Sequence, residues 1–263
     1  KLKKKDEPSK GLTLEALVLD HLIHSYTALD DPLHLEYEYI RLYEELVRWQ
    51  TMGRKSFKVL FIGGGGYTFP RFLEAIYPEA QIDVVEIDPE VSRVAKTHLG
   101  IPADTRIRTF NEDARWFVMN CKESGTYDFI FGDAFNDLSI PYHLTTKEFA
   151  VELKRLLKPE GIYLANVIDS FQKGLFIPAY IRTLEEVFGK KQVNLVTANT
   201  DLNDMGISTY VVVASAKKLE QEDFIEGMRR MGDTDVMGLF FPQALLQTYL
   251  KDQNPILLTD DYV

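Results

Sequence analysis

Cysteine is nearly absent: Cys121 is the single one in 263 residues. A lone cysteine excludes an internal disulfide and cannot by itself build a zinc site, so no metal is expected. It also points to a reducing, cytoplasmic setting. Long apolar runs are missing too. The longest, around Tyr210–Ala216, is strand-sized, far short of the roughly 18 residues that cross a bilayer. No leader signature opens the sequence. Basic charge is scarce: 30 Lys and Arg against 40 Asp and Glu leave a net −10. That argues against a phosphate-backbone binder, so nucleic acid is not an expected partner. The acidity suits a cationic substrate, and equally plain solubility. Repeats and low-complexity stretches are lacking. One basic exception, Lys1-Leu-Lys-Lys-Lys5, opens the sequence without an initiator Met, and Asp260-Asp-Tyr-Val263 closes it abruptly. Both ends read as cut. The basic start reads as a linker, as a cytoplasmic flank of a membrane segment outside this sequence, or as a plain solvated terminus.

What is present belongs to a globular chain, 45% hydrophobic and 27% charged, long enough to bury a core without staples. In residues 12–26, Leu12, Leu14, Ala16 and Val18 alternate. This predicts a strand, with a hairpin at Asp20-His21. Leu35, Tyr39, Leu42, Leu46 and Trp49 then fall at three- and four-residue steps, predicting a helix over 33–49 capped by Asp30-Asp31-Pro32. After Gly53 the pattern turns to strand–helix alternation, with strands over 58–62, 82–87, 106–110, 127–131, 162–167, 192–197 and 209–215. Helices are expected over 70–77, from Pro89 to Gly100, and over 114–121, 145–157, 178–188, 220–231 and 242–250. Such alternation predicts an α/β fold, a doubly wound Rossmann-like sheet. Residues 1–50 form a small N-terminal β-hairpin region with its helix, and 51–263 the main domain.

Ligands of such sheets sit at the carboxyl ends of the strands. After the first strand comes Gly63-Gly64-Gly65-Gly66, a turn whose backbone can pass close beneath a ligand. The next helix begins near Thr68-Phe69-Pro70, and its start favours negative charge. Glu86 ends the second strand, 23 positions after Gly63, where an acid can hold both hydroxyls of a ribose. Asp113-Ala114 follows the third strand and Asp133 the fourth. A dinucleotide fingerprint wants a third glycine where Thr68 stands. An S-adenosyl sulfonium nucleoside therefore fits better than NAD.

Val59-Leu-Phe-Ile-Gly-Gly-Gly65, Val85-Glu-Ile-Asp88, Asp113-Ala114, Tyr127-Asp-Phe-Ile-Phe-Gly-Asp133 and Leu157-Lys-Pro-Glu-Gly161 resemble the polyamine aminopropyltransferases, the spermidine synthase family. Leu17-Val-Leu-Asp-His-Leu-Ile-His24 looks like that family's N-terminal hairpin signature. Thr145-Thr-Lys-Glu-Phe149 and Leu257-Leu-Thr-Asp-Asp-Tyr262 look closest to a spermidine synthase-like branch, some of whose members are fused to membrane domains. The resemblance implies the class I S-adenosylmethionine-dependent transferase fold. It implies a donor, decarboxylated S-adenosylmethionine or S-adenosylmethionine, and a small amine as acceptor. It leaves open a membrane domain outside this sequence and a homodimer.

Roles follow residue by residue from the same resemblance. Gly63, Gly64 and Gly65 would pass under the nucleoside. Glu86, with Ile87 beside it, would hold the ribose. Asp113 would receive the adenine amino group, with Ala114 beside it. Asp133 would take the proton of the attacking amine or hold its charge. His24, Tyr37, Asn136, Asp137 and Tyr142 are candidates to face the amine. Blander readings stand beside these. Asp113 is also a helix cap. Tyr37, Glu38 and Tyr39 share an amphipathic helix and suit packing. His24 and His143 are isolated, Trp49 and Trp116 read as core, and Cys121 reads as structural. In three places the family pattern is broken. Gly66 stands where an Asp follows the glycines, Asn136 replaces a second acid with Asp137 one step late, and His24 replaces a glutamine. These departures keep two rivals open: a methyltransferase using S-adenosylmethionine, and a nucleoside-binding module without catalysis.

Overall fold

The computed structural model describes residues 1–7, 12–19, 21–135, 139–198 and 206–261. The chain opens with three antiparallel strands, β1 (Leu2–Glu7), β2 (Leu12–Leu19) and β3 (Leu22–Ala28), in that spatial order. β2 pairs antiparallel with β3 on either side of the expected hairpin, whose Asp20 lies outside the described residues. The basic start is neither linker nor loose terminus. It is an edge strand, with Leu2 opposite Leu17 and Lys4 opposite Glu15. Its lysines hid it, because a charged edge strand lacks the clean apolar alternation of an inner one.

Helix α1 covers Glu38–Thr51, five residues later than the spacing predicts. Asp31 does not cap it. Its Oδ1 accepts instead from Leu33 N at 2.9 Å, closing a local turn, a common alternative for Asp. Tyr37 occupies the cap position without a side-chain bond.

Among the described residues the main sheet has eight strands: β4 (Lys58–Ile62), β5 (Gln81–Val85), β6 (Arg108–Phe110), β7 (Tyr127–Gly132), β8 (Leu157–Asp169), β9 (Val193–Thr197), β10 (Ser208–Ser215) and β11 (Leu239–Phe240). Their order is β11-β9-β10-β8-β7-β4-β5-β6. From β8 to β6 neighbours run parallel, while β9, β10 and β11 pair antiparallel. Strand β11, only two residues long, gives no periodic signal in the sequence. Residues 158–161, which precede the strand expected over 162–167, form the first part of β8.

Among the described residues seven further α-helices complete the fold: α2 (Thr68–Ile76), α3 (Pro89–His98), α4 (Ala114–Asn120), α5 (Lys147–Leu156), α6 (Phe176–Phe188), α7 (Gln221–Arg230) and α8 (Gln243–Gln253). They cover both faces of the sheet. Val59 and Phe61 face the layer that contains Leu46 of α1 and Leu73 of α2. Leu60 and Ile62 face the layer with Val118 of α4, Leu153 of α5 and Leu184 of α6. This two-residue period, buried on both sides, explains why the strand reads as a continuous apolar run. Trp49 is buried as expected, but Trp116 is 65% exposed. On the short α4 the buried positions are Ala114 and Val118, and position 116 falls on the opposite side. Cys121 caps the end of α4 and is half-buried. Among the described residues no helix is long and apolar enough to cross a membrane.

The strand order reverses between β4 and β7. Ligand crevices of doubly wound sheets open at such a point, beyond the carboxyl ends of the strands. Here those ends carry Gly63 and Asp133.

Candidate active site

The glycine turn is held against two neighbouring strand ends. Gly63 N donates to Val85 O at 2.8 Å, and Asp133 N donates to Ile62 O at 2.9 Å. Gly63 has φ +93°, and a Cβ there would lie 2.6 Å from Asp133 O. Only glycine permits both the dihedral and the approach.

Glu86 closes the other side of the turn. Its Oε2 accepts from Gly64 N at 2.8 Å and from Gly65 N at 3.2 Å, and its Oε1 accepts from Asp88 N at 2.9 Å. A carboxylate has about four acceptor positions. Three are in use, so Glu86 both shapes the turn and keeps capacity for a ligand. Asp88 caps α3, accepting from Glu90 N at 2.8 Å.

Asp113 is the helix cap that one reading of it gives. Its Oδ1 caps α4 by accepting from Arg115 N and Trp116 N, at 2.8 and 3.1 Å. Its Oδ2 lies 3.0 Å from His143 Nε2. His143 is therefore not isolated. Arg115 Nη1 donates to His143 O at 2.6 Å, tying the loop before α5 to the start of α4.

Two adjoining cavities collect these groups. The first is lined in part by Gly65, Glu86, Ile87, Asp113, Ala114 and His143. The second runs from Asp133 along the glycine turn to β3 and α1, where Tyr37, Tyr39, Tyr43 and Phe69 form an aromatic wall. Gly63, Gly65, His24 and Asp133 line both. Gly64 and Tyr37 line the second. Tyr142 is 68% exposed and lines neither. Asn136 and Asp137 lie outside the described residues.

Asp133, which lines both cavities, is held on two sides. Its Oδ2 accepts from Tyr39 OH at 3.0 Å, and its Oδ1 accepts from Asn166 Nδ2 at 2.9 Å. Burial pushes its carboxyl up to about 6, against the opposing pull of the Asn166 and Tyr39 bonds. Tyr39 is pushed well above the ordinary phenol value, first by burial and then by Asp133. It therefore remains a donor at neutral pH. Asn166 is 4% exposed, and its Oδ1 has no partner among the described residues.

Sequence reasoning placed Tyr39 with its helix and did not single out Asn166. A signal for Asn166 was present, since a polar residue inside the buried run Tyr163-Leu-Ala-Asn-Val167 needs a partner. Nothing in the sequence shows that the partner stands 33 residues away.

Replacing Glu86 with Ala strips three backbone N–H groups of their acceptor. The expected result is nucleoside binding weaker by about 1.5–3 kcal/mol, read by calorimetry with methylthioadenosine. Unchanged affinity would remove Glu86 from the site.

Comparison with known proteins gives a consistent set. A spermine/spermidine synthase domain model matches residues 43–231. The polyamine aminopropyltransferase of Vibrio vulnificus is 38% identical over 135 residues, 49% of this chain and 45% of that protein. The chain thus spans under half the length of that relative. A crystal structure of a probable spermidine synthase from Corynebacterium glutamicum shares the fold, with TM-score 0.83 at 21% identity, over 98% of this chain and 92% of that one. Human methyltransferase-like protein 13, solved with SAH, has TM-score 0.60 at 19% identity, over 87% of this chain and 98% of that one.

Proposed function

Because the chain belongs to the spermine/spermidine synthase family, we propose that it moves the aminopropyl arm of an S-adenosyl sulfonium donor onto the nitrogen of a small amine. The observation that carries this reading is Asp133. It is a half-buried carboxylate with its carboxyl pushed up to about 6, oriented by Tyr39 and Asn166, and its main chain abuts the glycine turn.

The nucleoside would lie over Gly63–Gly65, with Glu86 on the ribose and Asp113 toward the base. Its arm would cross the turn into the cavity of Asp133. There the nitrogen lone pair attacks the arm carbon bonded to sulfur. The C–N bond forms as the S–C bond breaks, and sulfur keeps the electron pair as a neutral thioether, leaving methylthioadenosine. The nitrogen sheds its proton to Asp133, whose two fixed donors keep the acceptor oxygens in place. A neutral leaving group needs no acid, so positioning supplies most of the acceleration. The aromatic wall of Tyr37, Tyr39 and Tyr43 suits the cationic amine. In the family reaction the arm comes from decarboxylated S-adenosylmethionine. The same displacement runs on S-adenosylmethionine, whose arm carries one further carboxylate.

A second reading, methyl transfer from S-adenosylmethionine, has one observation in its favour. Gly66 places no acid at the end of the glycine turn to hold a bare ammonium. Mass analysis of the nucleoside released from a mixed amine pool separates the two. Methylthioadenosine is the expected product, and S-adenosylhomocysteine would replace arm transfer with methylation.

A further inference from the structure

The cavity that Asp133 occupies has a second polar end, at the start of α2. Ser25 of β3 is 6% exposed, and its Oγ has no partner among the described residues. A Cβ on Gly66 would fall 2.0 Å from that oxygen. Strand β3 therefore fills the space a side chain at 66 would need, and a hydroxyl faces the turn instead. Ser25, Gly66, Thr68 and Phe69 line the cavity here.

The nine-residue α2 begins here. Tyr67 offers it no side-chain cap. The N–H groups of Thr68 and Phe69 lie in the first turn, where a helix has no internal acceptor for them. Their dipoles add to the partial positive charge of the helix start. The carboxylate that lines the same cavity, Asp133, is engaged by Tyr39 and Asn166 rather than by this turn. This end offers N–H donors and a hydroxyl, a set that attracts an anion.

We propose that it is a carboxylate subsite for the donor's arm. The donor is then S-adenosylmethionine itself, and the unit moved is the 3-amino-3-carboxypropyl group. This rests on the arm-transfer reading above and names the form of the donor. The bonds balance as before. The amine nitrogen bonds to the arm carbon, the S–C pair stays on sulfur, and the proton passes to Asp133. The carboxylate rides on the arm unchanged, held by Ser25 and the first turn of α2.

The test supplies purified protein and an amine pool with S-adenosylmethionine or with its decarboxylated form. The expected products from S-adenosylmethionine are methylthioadenosine and an amine heavier by a 3-amino-3-carboxypropyl group. Methylthioadenosine from the decarboxylated donor alone overturns the subsite and leaves arm transfer standing. S-adenosylhomocysteine, or no turnover with either donor, overturns the transfer in both statements. Binding then judges the subsite by itself. S-adenosylhomocysteine should bind at least about tenfold tighter than its decarboxylated analogue, the worth of one charge-assisted hydrogen bond. Ser25→Ala should narrow that gap while leaving the affinity for methylthioadenosine, which lacks the arm, unchanged. A decarboxylated analogue that binds as well or better overturns the subsite.

Discussion

Asp133→Asn lowers kcat/KM by roughly 10²- to 10⁴-fold, the usual contribution of a positioned base, while methylthioadenosine still binds. Asn keeps the size and one acceptor oxygen but cannot take a proton. The pH dependence has a definite sign. Burial holds the Asp133 carboxyl near 6, and the base works only when ionised. Wild-type kcat/KM therefore climbs as pH rises through about 6 and then levels.

Stability moves the other way. In the unfolded chain the same carboxyl titrates near its ordinary value, so the folded state binds the proton more tightly. The stabilisation is complete below that ordinary value and is lost as pH rises through about 6. At pH 8 the Asn variant should be more stable than wild type by about 1–3 kcal/mol, and the gain should vanish in acid. Stopped assays across pH and thermal melts at two pH values check both halves. An active Asp133→Asn protein removes Asp133 as the base. A variant less stable than wild type at pH 8 removes the account of its burial.

Gly63→Ala has the largest expected effect on the fold. The backbone there is at φ +93°, and the added methyl would meet Asp133 O at 2.6 Å, Asp133 C at 2.8 Å and Ala134 Cα at 2.9 Å. All three are main-chain atoms that cannot turn aside. Backbone strain and overpacking together should destabilise the protein by about 2–5 kcal/mol. The turn would also be pushed off the Asp133 segment, so activity should fall in whatever protein remains folded. Gly65→Ala is the control: its φ is +48°, with nothing within 4 Å of the added Cβ. Its cost should stay near 1 kcal/mol, the left-handed penalty alone. Urea titrations rank the two, and equal midpoints would contradict the close approach at Gly63.

Much of this architecture is legible in the sequence because its signals are local. Val59-Leu-Phe-Ile62 reads as a strand buried on two faces, and the structure places it inside the sheet, between β5 and β7. Asp88-Pro89 reads as a cap and first turn, and Asp88 does accept from Glu90 N. Errors fall where a local rule has two solutions. Asp31 can cap a helix or close a turn, and chain geometry near Leu33 selects the turn. Trp116 is apolar enough for a core, but α4 is too short to bury more than one side. The lysines of β1 suit solvent, and only the pairing with β2 makes them a strand.

The order of strands and acids along the chain, and with it the glycine turn and Glu86, Asp113 and Asp133 at strand ends, was determined by the sequence alone. Each depends on neighbours within a few residues and on the two-residue period of a strand. The surroundings of those acids were decided only by the tertiary structure. Tyr39 is 94 residues from Asp133 and Asn166 is 33 away, and Ser25 of the three-stranded sheet meets Gly66 in the turn after β4. Such meetings come from packing layers against one another, and no periodicity along a chain encodes them.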